Sequence, residues 1–224
     1  MCTVTFIKTN SGFVLTSNRD EKNNRKTLTP DYYQHINQRL YYPKDEKAGG
    51  TWIASNLINR TACLLNGAFM AHQKQPYHTL SRGKILLASF NSPIQNFINE
   101  TALNQVEPFT LLIIDNTESV CLHELVWDGI AIHHTSYQDL EYKIWSSSTL
   151  YRPEIQAQRN AWFETWIEQH KFLEDKNILN FHKHRHTETE SDNILMKREN
   201  AMQTVSITQV ISKNGGFSLD YLPI

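Results

Sequence analysis

The chain has 224 residues, 40% hydrophobic and 20% charged, with 22 Lys and Arg against 23 Asp and Glu for a formal charge of -1. So balanced a charge gives no large field to draw in nucleic acid or an anionic membrane. No apolar run approaches the roughly 18 residues that suggest a membrane span, and the three cysteines, Cys2, Cys63 and Cys121, are too few and odd in number for a disulfide framework. "CTVTFIK" is short, alternates with Thr and leads into polar sequence, unlike a signal peptide. The expected setting is the cytoplasm, with all three thiols reduced.

In chain order, "TVTFIKT" and "GFVLTSN" are β-branched and aromatic runs around Asn10-Ser11-Gly12, which predicts a β-hairpin. If Asn10 and Ser11 form a two-residue loop, Cys2 falls opposite Arg19; a loop slid by half a residue pairs it with Asp20 instead. Cross-strand partners sit about 5 Å apart, so either register brings the thiol beside the charged run "NRDE" at 18 to 21. Val4 and Phe6 share one face with Phe13 and Leu15, and Thr5 and Ile7 share the other with Val14. A hairpin covered on both sides reads this way.

Residues 22 to 48 are polar and predict a long surface excursion. Strands follow at "TWIAS" and "RTACLLN", then helical spacing in "SRGKILLASF" and "PIQNFINETAL". Strands return in "FTLLIID", "SVCLHELVWD", "GIAIHHTS" and "YKIWSSS". "RPEIQAQRNAWFETWIEQHKF" predicts the clearest helix, with Pro153 near its start and Trp162, Phe163 and Trp166 in a packed face. A second helix covers "DKNILNFH", a polar loop follows at "KHRHTETESDN", and "TVSITQVIS" and "FSLDYL" close the chain as strands. No repeat or linker divides it, so one domain spanning 1–224 is expected. Strands, helix pair, strands, helix pair, strands is an order that two stacked sheets between helical layers accommodate.

The sharpest chemical feature is Cys2. Removal of Met1 would leave a thiol and a free α-amine on one residue, and that amine, with a reference pKa of about 7.7 to 8, can accept a proton near neutrality. Such a nucleophile carries its own base. Arg19 beside it would favour thiolate, and Asp20 could hold the ammonium or the thiol. A solvated strand end is the plainer reading of the same charges. His182, His184 and His186 would share a face if extended, yet their polar surroundings lack a fixed carboxylate or cysteine, and no metal is expected there. His133 and His134, adjacent on a strand, must point oppositely.

"MC" at the terminus, "SNRDE" at 17 to 21, "GGTWIASN" at 49 to 56, "ACLLN" at 62 to 66 and "SRG" at 81 to 83 together resemble the NRDE family, also called the transport and Golgi organization family. The resemblance implies an α+β fold, the four-layer αββα sandwich of the N-terminal nucleophile hydrolases, with more distant similarity to bile salt hydrolases and penicillin V acylases. It implies cleavage of a non-peptide amide in a small acylated substrate through a thioester on Cys2, without a cofactor. By motif, Arg19 and Asp20 are the neighbours of the nucleophile and Asn66 an oxyanion-hole residue. Asn18, Ser147 and Arg198 are expected at the substrate; Ser147 stands where relatives have a second asparagine, and Val205 where some have a second arginine. The family's links to lipid and haem handling leave a non-catalytic carrier of a lipid-like ligand or haem as the alternative.

Overall fold

The computed structural model describes residues 3–170 and 175–224, with the backbone alone for 175–177. The N-terminal hairpin is formed by β1 (Thr3–Thr9) and β2 (Gly12–Lys22), paired from Thr3 opposite Asn18 to Thr9 opposite Gly12. This is the register of an Asn10-Ser11 loop. Cys2 lies outside the described residues, next in sequence to the last described pair.

The hairpin sits inside a five-stranded antiparallel sheet in the order β10-β1-β2-β11-β12, where β10 is Tyr142–Ser146, β11 Met202–Lys213 and β12 Gly216–Pro223. The second sheet is a seven-stranded run, β3-β4-β5-β6-β7-β8-β9. Its members are β3 (Thr27–His35), β4 (Gln38–Asp45), β5 (Ile53–Ser55), β6 (Arg60–Asn66), β7 (Phe109–Asn116), β8 (Val120–Trp127) and β9 (Ile132–Tyr137).

Side-chain alternation assigns the layers. Along β6, Cys63 and Leu65 meet Val4, Phe6, Phe13 and Leu15 between the sheets. Ala62 and Leu64 instead face α1 (Arg82–Ala88) and α2 (Ile94–Glu100), with Leu86 and Phe97 in the same cluster. On the far side, Ile7 and Val14 pack against Phe163 of α3 (Pro153–Gln169) and Ile178 and Phe181 of α4 (Asp175–Lys183). The result is an αββα sandwich with helices packed on the outer side of each sheet. Among the described residues, no helix is long and apolar enough to cross a membrane.

The expected excursion at 22 to 48 is instead the β3–β4 hairpin. Its register shifts between Leu28 and Asp31, which breaks the period-two pattern, and Pro30 is tolerated because β3 is an edge strand. Tyrosines hold it together: the Tyr33 and Tyr42 rings stack at 4.5 Å and Tyr32 meets Tyr41 at 4.7 Å. The histidine tract is not extended. His182 is in the last turn of α4 and fully buried, so the three rings do not share a strand face.

Candidate active site

Strand β2 splits the "NRDE" run in two. Its odd residues continue the line of Phe13 and Leu15 toward the other sheet, and its even residues follow Val14 toward α3 and α4. Arg19 therefore enters the space between the sheets, where it is 2% exposed. Its Nη2 donates to Asp45 Oδ2 at 2.7 Å, and its guanidinium carbon sits 4.6 Å from the centre of the Trp52 ring. Arg25 Nε donates to the same carboxylate oxygen at 2.7 Å, and Ala48 N–H to Oδ1 at 2.8 Å. Burial alone pushes the Asp45 carboxyl up, but the Ala48 N–H and the Arg25 and Arg19 guanidiniums together hold it below its usual value.

These residues form one wall of a cleft of about 290 Å³, which Asn66, Trp52 and Arg82 also line. Asn66 ends β6, and Gly67 after it has φ 87, where a Cβ would lie 2.2 Å from Ser148 Oγ. Only glycine allows the chain to turn there. The "GGTW" and "SRG" motifs meet at the cleft floor: a Cβ on Gly50 would fall 2.9 Å from the Gly83 carbonyl carbon, and one on Gly83 2.6 Å from Thr51 O. Two bare backbones thus pack together, which seats the start of α1 and brings Arg82 to the cleft.

Three buried polar atoms on this wall have no hydrogen-bond partner among the described residues: Arg19 Nη1, Trp52 Nε1 and Asn66 Oδ1. Buried polar groups are nearly always satisfied, so these two donors and one acceptor are hydrogen-bonding capacity left open beside the cleft.

The even residues behave differently. Asn18 Nδ2 donates to the carbonyls of Ile194, at 2.9 Å, and His182, at 3.3 Å. With those donors fixed, Asn18 Oδ1 must accept from His182 Nδ1, 2.7 Å away, which leaves Nε2 to accept from the Thr5 hydroxyl at 2.7 Å. Burial, with the charges of His186 and Arg159, drives the His182 imidazole down to about 3, so it is neutral. Asp20 accepts from Tyr151 OH at 2.8 Å and from Thr204 Oγ1 at 2.6 Å.

Arg19 and Asn66 thus line the same cleft, and Ser147 is joined to Asn66 from outside it. Its hydroxyl donates to the Asn66 carbonyl at 2.7 Å and it lines a second hollow rather than this cleft. Asn18 and Arg198, expected at the substrate, lie off the cleft. Asn18 is on the helix-facing side by strand parity, and Arg198 Nη2 donates to Leu150 O at 2.7 Å, beside the Tyr151 ring. Sequence reasoning does not single out Asp45, Arg25 or Trp52; an acid in a polar stretch and a tryptophan in an apolar strand carry no signal of being neighbours of Arg19. It misses Arg159 as well. That residue is fully buried on α3 and donates to Thr3 Oγ1 at 2.8 Å, to Asp192 O at 3.0 Å and to Asn193 O, lying 3.4 Å above the Tyr151 ring.

Residues 1–217 match the model of a protein family described as Transport and Golgi organisation 2. By sequence, no curated protein matches the chain. In structure it is similar to a Caenorhabditis elegans N-acylethanolamine-hydrolyzing acid amidase ortholog, with a TM-score of 0.54 and 9% identity, covering 98% of this chain and 100% of that one. It is similar to penicillin V acylase from Agrobacterium tumefaciens, with a TM-score of 0.52 and 10% identity over 100% and 86% of the two chains. For a single-substitution variant of conjugated bile acid hydrolase from Clostridium perfringens the TM-score is 0.55 and the identity 9%, over 99% and 92%. The shared architecture is the αββα sandwich of the N-terminal nucleophile hydrolases; at these identities the likeness is one of fold.

Proposed function

The chain belongs to the Transport and Golgi organisation 2 family, and from that premise we propose that it is an N-terminal cysteine hydrolase that cleaves the amide bond of a small acylated substrate. The observation that carries the reading is the Asn66 carboxamide: it ends β6, lines the cleft that holds Arg19, and its side chain bonds to no described residue, which leaves its N–H available to a developing oxyanion. The names of the three similar structures support amide hydrolysis as the reaction class, since each is named as an acylase, an amidase or a conjugate hydrolase.

In the proposed reaction Met1 is removed and the Cys2 sulfur attacks the amide carbonyl while its α-amine takes the thiol proton. The Asn66 N–H donates to the oxyanion as it forms. Collapse of the adduct breaks the C–N bond, the α-ammonium returns the proton to the leaving amine, and water then hydrolyses the thioester. Arg19 supplies positive charge beside the start of β1 and favours thiolate. Asp20, anchored by Tyr151 and Thr204, receives the α-ammonium, while Asn18, Arg198 and Arg159 hold the surrounding backbone.

One observation favours the alternative of a non-catalytic carrier. The Ser147 hydroxyl is committed to the Asn66 carbonyl, so it adds no second donor to the cleft. The test is to expose untagged protein and its Cys2→Ala variant to N-acyl amino acids, N-acylethanolamines and penicillin V. Product release and the mass of acylated protein are then followed. A hydrolase loses Met1, acylates at Cys2 and turns over, and Cys2→Ala does neither. Ligand binding without acylation or turnover in the parent protein establishes the carrier.

A further inference from the structure

Arg19 and Arg159 are both buried almost completely, and they are served differently. Arg19 pairs with the Asp45 carboxylate at 2.7 Å. Among the described residues Arg159 pairs with no carboxylate. Its Nη1 donates to Thr3 Oγ1 at 2.8 Å and to Ser146 Oγ at 3.5 Å, its Nε to Asp192 O at 3.0 Å and its Nη2 to Asn193 O. The Tyr151 ring lies beneath the guanidinium. Every one of these partners is neutral.

A buried guanidinium without a counter-charge is costly, and fastening the helical layer does not require one. Neutral side chains do the same job close by: Asn18 Nδ2 holds Ile194 O at 2.9 Å and Asn193 Nδ2 holds Thr187 O at 2.8 Å. What Arg159 adds to such contacts is charge. The reach of that charge shows on α4, where burial depresses the His182 and His186 imidazoles and Arg159 pushes both further down. It also stands at the start of β1, because Thr3 directly follows Cys2. Covalent geometry keeps the Cys2 α-nitrogen within about 10 Å of the guanidinium. At that range in a protein interior, a unit charge moves a titration by about one pH unit.

The other groups facing the start of β1 sort by sign. On β2, Arg19 is matched by Asp45 and Glu21 pairs with Arg25. His182 on α4 is neutral, and so is the Cys63 thiol on β6, which burial pushes up to about 12. Arg198 lies farther off, 5.5 Å from the centre of the Tyr151 ring. Asp20 remains as the opposing charge, joined to Arg159 through Tyr151, whose hydroxyl donates to the carboxylate while its ring underlies the guanidinium. A carboxylate raises the proton affinity of a nearby amine and a cation lowers it.

We infer that Arg159 is a positioning residue that acts by charge: it offsets Asp20 and keeps the α-amine of Cys2 in its basic form near neutral pH, ready to take the thiol proton. The use made of that amine rests on the hydrolase reading; the effect of Arg159 on its titration does not.

The α-amine is titrated in the full-length Cys2→Ala protein, after intact mass has shown that Met1 is gone. Competitive acetylation by acetic anhydride is followed against pH through the mass of the N-terminal peptide, in the folded protein and in the same protein unfolded in urea. The folded amine titrates below the unfolded one. In the same background Arg159→Gln, which keeps a donor and loses the charge, raises the folded value by about one unit. Arg159→Lys keeps the charge and leaves it within about 0.3 units of the parent, although both variants lose fold stability. With Cys2 intact, Arg159→Gln also moves the rate-versus-pH curve for iodoacetamide to higher pH, and Arg159→Lys does not. A folded value at or above the unfolded one, no shift in Arg159→Gln, or a shift in Arg159→Lys as large as that in Arg159→Gln overturns the inference. If neither variant folds, the folded and unfolded parent values decide alone. Retention of Met1 removes this inference and the hydrolase together. Otherwise the two separate: an Arg159-dependent titration without acylation of Cys2 leaves the charge effect and removes the hydrolase, whereas acylation and turnover with an amine indifferent to Arg159 does the reverse.

Discussion

The two faces of β2 carry the same kind of residue and do opposite things with it. On the face toward the second sheet, Arg19 leaves a guanidinium N–H unpaired beside a cleft. On the face toward the helices, Asn18 and Asp20 bind backbone and side chains drawn from α4, β11 and the Tyr151 turn. Four consecutive polar residues therefore divide between two faces, Arg19 and Glu21 toward the cleft and Asn18 and Asp20 toward the helices. The pleat sorts them into a half that keeps capacity for a ligand and a half that fastens the helical layer to the sheet. The comparison predicts that substitutions on the helix face cost stability first, and substitutions on the cleft face cost function first.

The largest effect falls on the helix face. Asp20→Ala strips the acceptor from two buried donors, Tyr151 OH and Thr204 Oγ1, and should destabilise the fold by roughly 3–5 kcal/mol. Urea unfolding read by tryptophan fluorescence measures it, and a midpoint equal to that of the parent would merge the two faces. Asn66→Ala is the opposite case. Its Oδ1 bonds to no described residue, so stability should move by no more than about 1 kcal/mol, while turnover falls about 100- to 1,000-fold for one oxyanion donor. Parallel losses of stability and turnover in Asn66→Ala would make it a packing residue.

How far these assignments could be read from the chain follows from what each depends on. The β1–β2 register is local: a short polar loop between two runs of strand-forming residues fixes it, and alternation then gives the two faces. Arg19 and Asn66 were reachable because each lies in a motif, Arg19 within β2 and Asn66 at the end of β6. The β3–β4 hairpin was not, since its shifted register, its proline and its solvent-facing edge erase the alternation on which a strand is recognised. Asp45 and Trp52 approach Arg19 only because two sheets stack, and stacking leaves no trace in spacing. Arg159 was hidden for a similar reason. A cation among polar helix residues looks solvated, and its burial depends on partners distant in sequence, Thr3 Oγ1 and the carbonyls of Asp192 and Asn193.

The helix face also predicts a pH dependence of intermediate size. His182 is held near a pKa of about 3 by burial, while the unfolded chain titrates near the ordinary histidine value. A group whose folded pKa is depressed in this way binds its proton first in the unfolded state, so stability falls as pH drops below about 6.5 and continues to fall toward about 3. Between neutral pH and about pH 5 the loss from this residue should be about 2 kcal/mol. Thr5 loses its acceptor at Nε2 once the ring is protonated, whereas Asn18 Oδ1 still accepts from Nδ1–H. Urea midpoints measured over this range for the parent and His182→Gln test it. The parent curve should slope and the variant's should be flatter, and equal slopes would remove His182 as the cause.

The smallest effect returns to Arg19. Arg19→Lys preserves the charge that pairs with Asp45, and Arg25 continues to hold the same oxygen, so the fold should tolerate it with a modest loss. What an ammonium cannot do is bond Asp45, stack flat on Trp52 and keep a further N–H directed elsewhere, because that requires a planar, forked donor. Binding of an acylated ligand by the Cys2→Ala protein should fall about tenfold, equivalent to about 1.4 kcal/mol. If Arg19 also favours the Cys2 thiolate, alkylation by iodoacetamide should slow, and its rate-versus-pH curve should move to higher pH as the less well-placed charge stabilises the anion less. The two readouts are separable. A binding loss with an unchanged alkylation curve confines Arg19 to the ligand, a shifted curve with unchanged binding confines it to the thiol, and no change in either makes it a structural residue paired with Asp45.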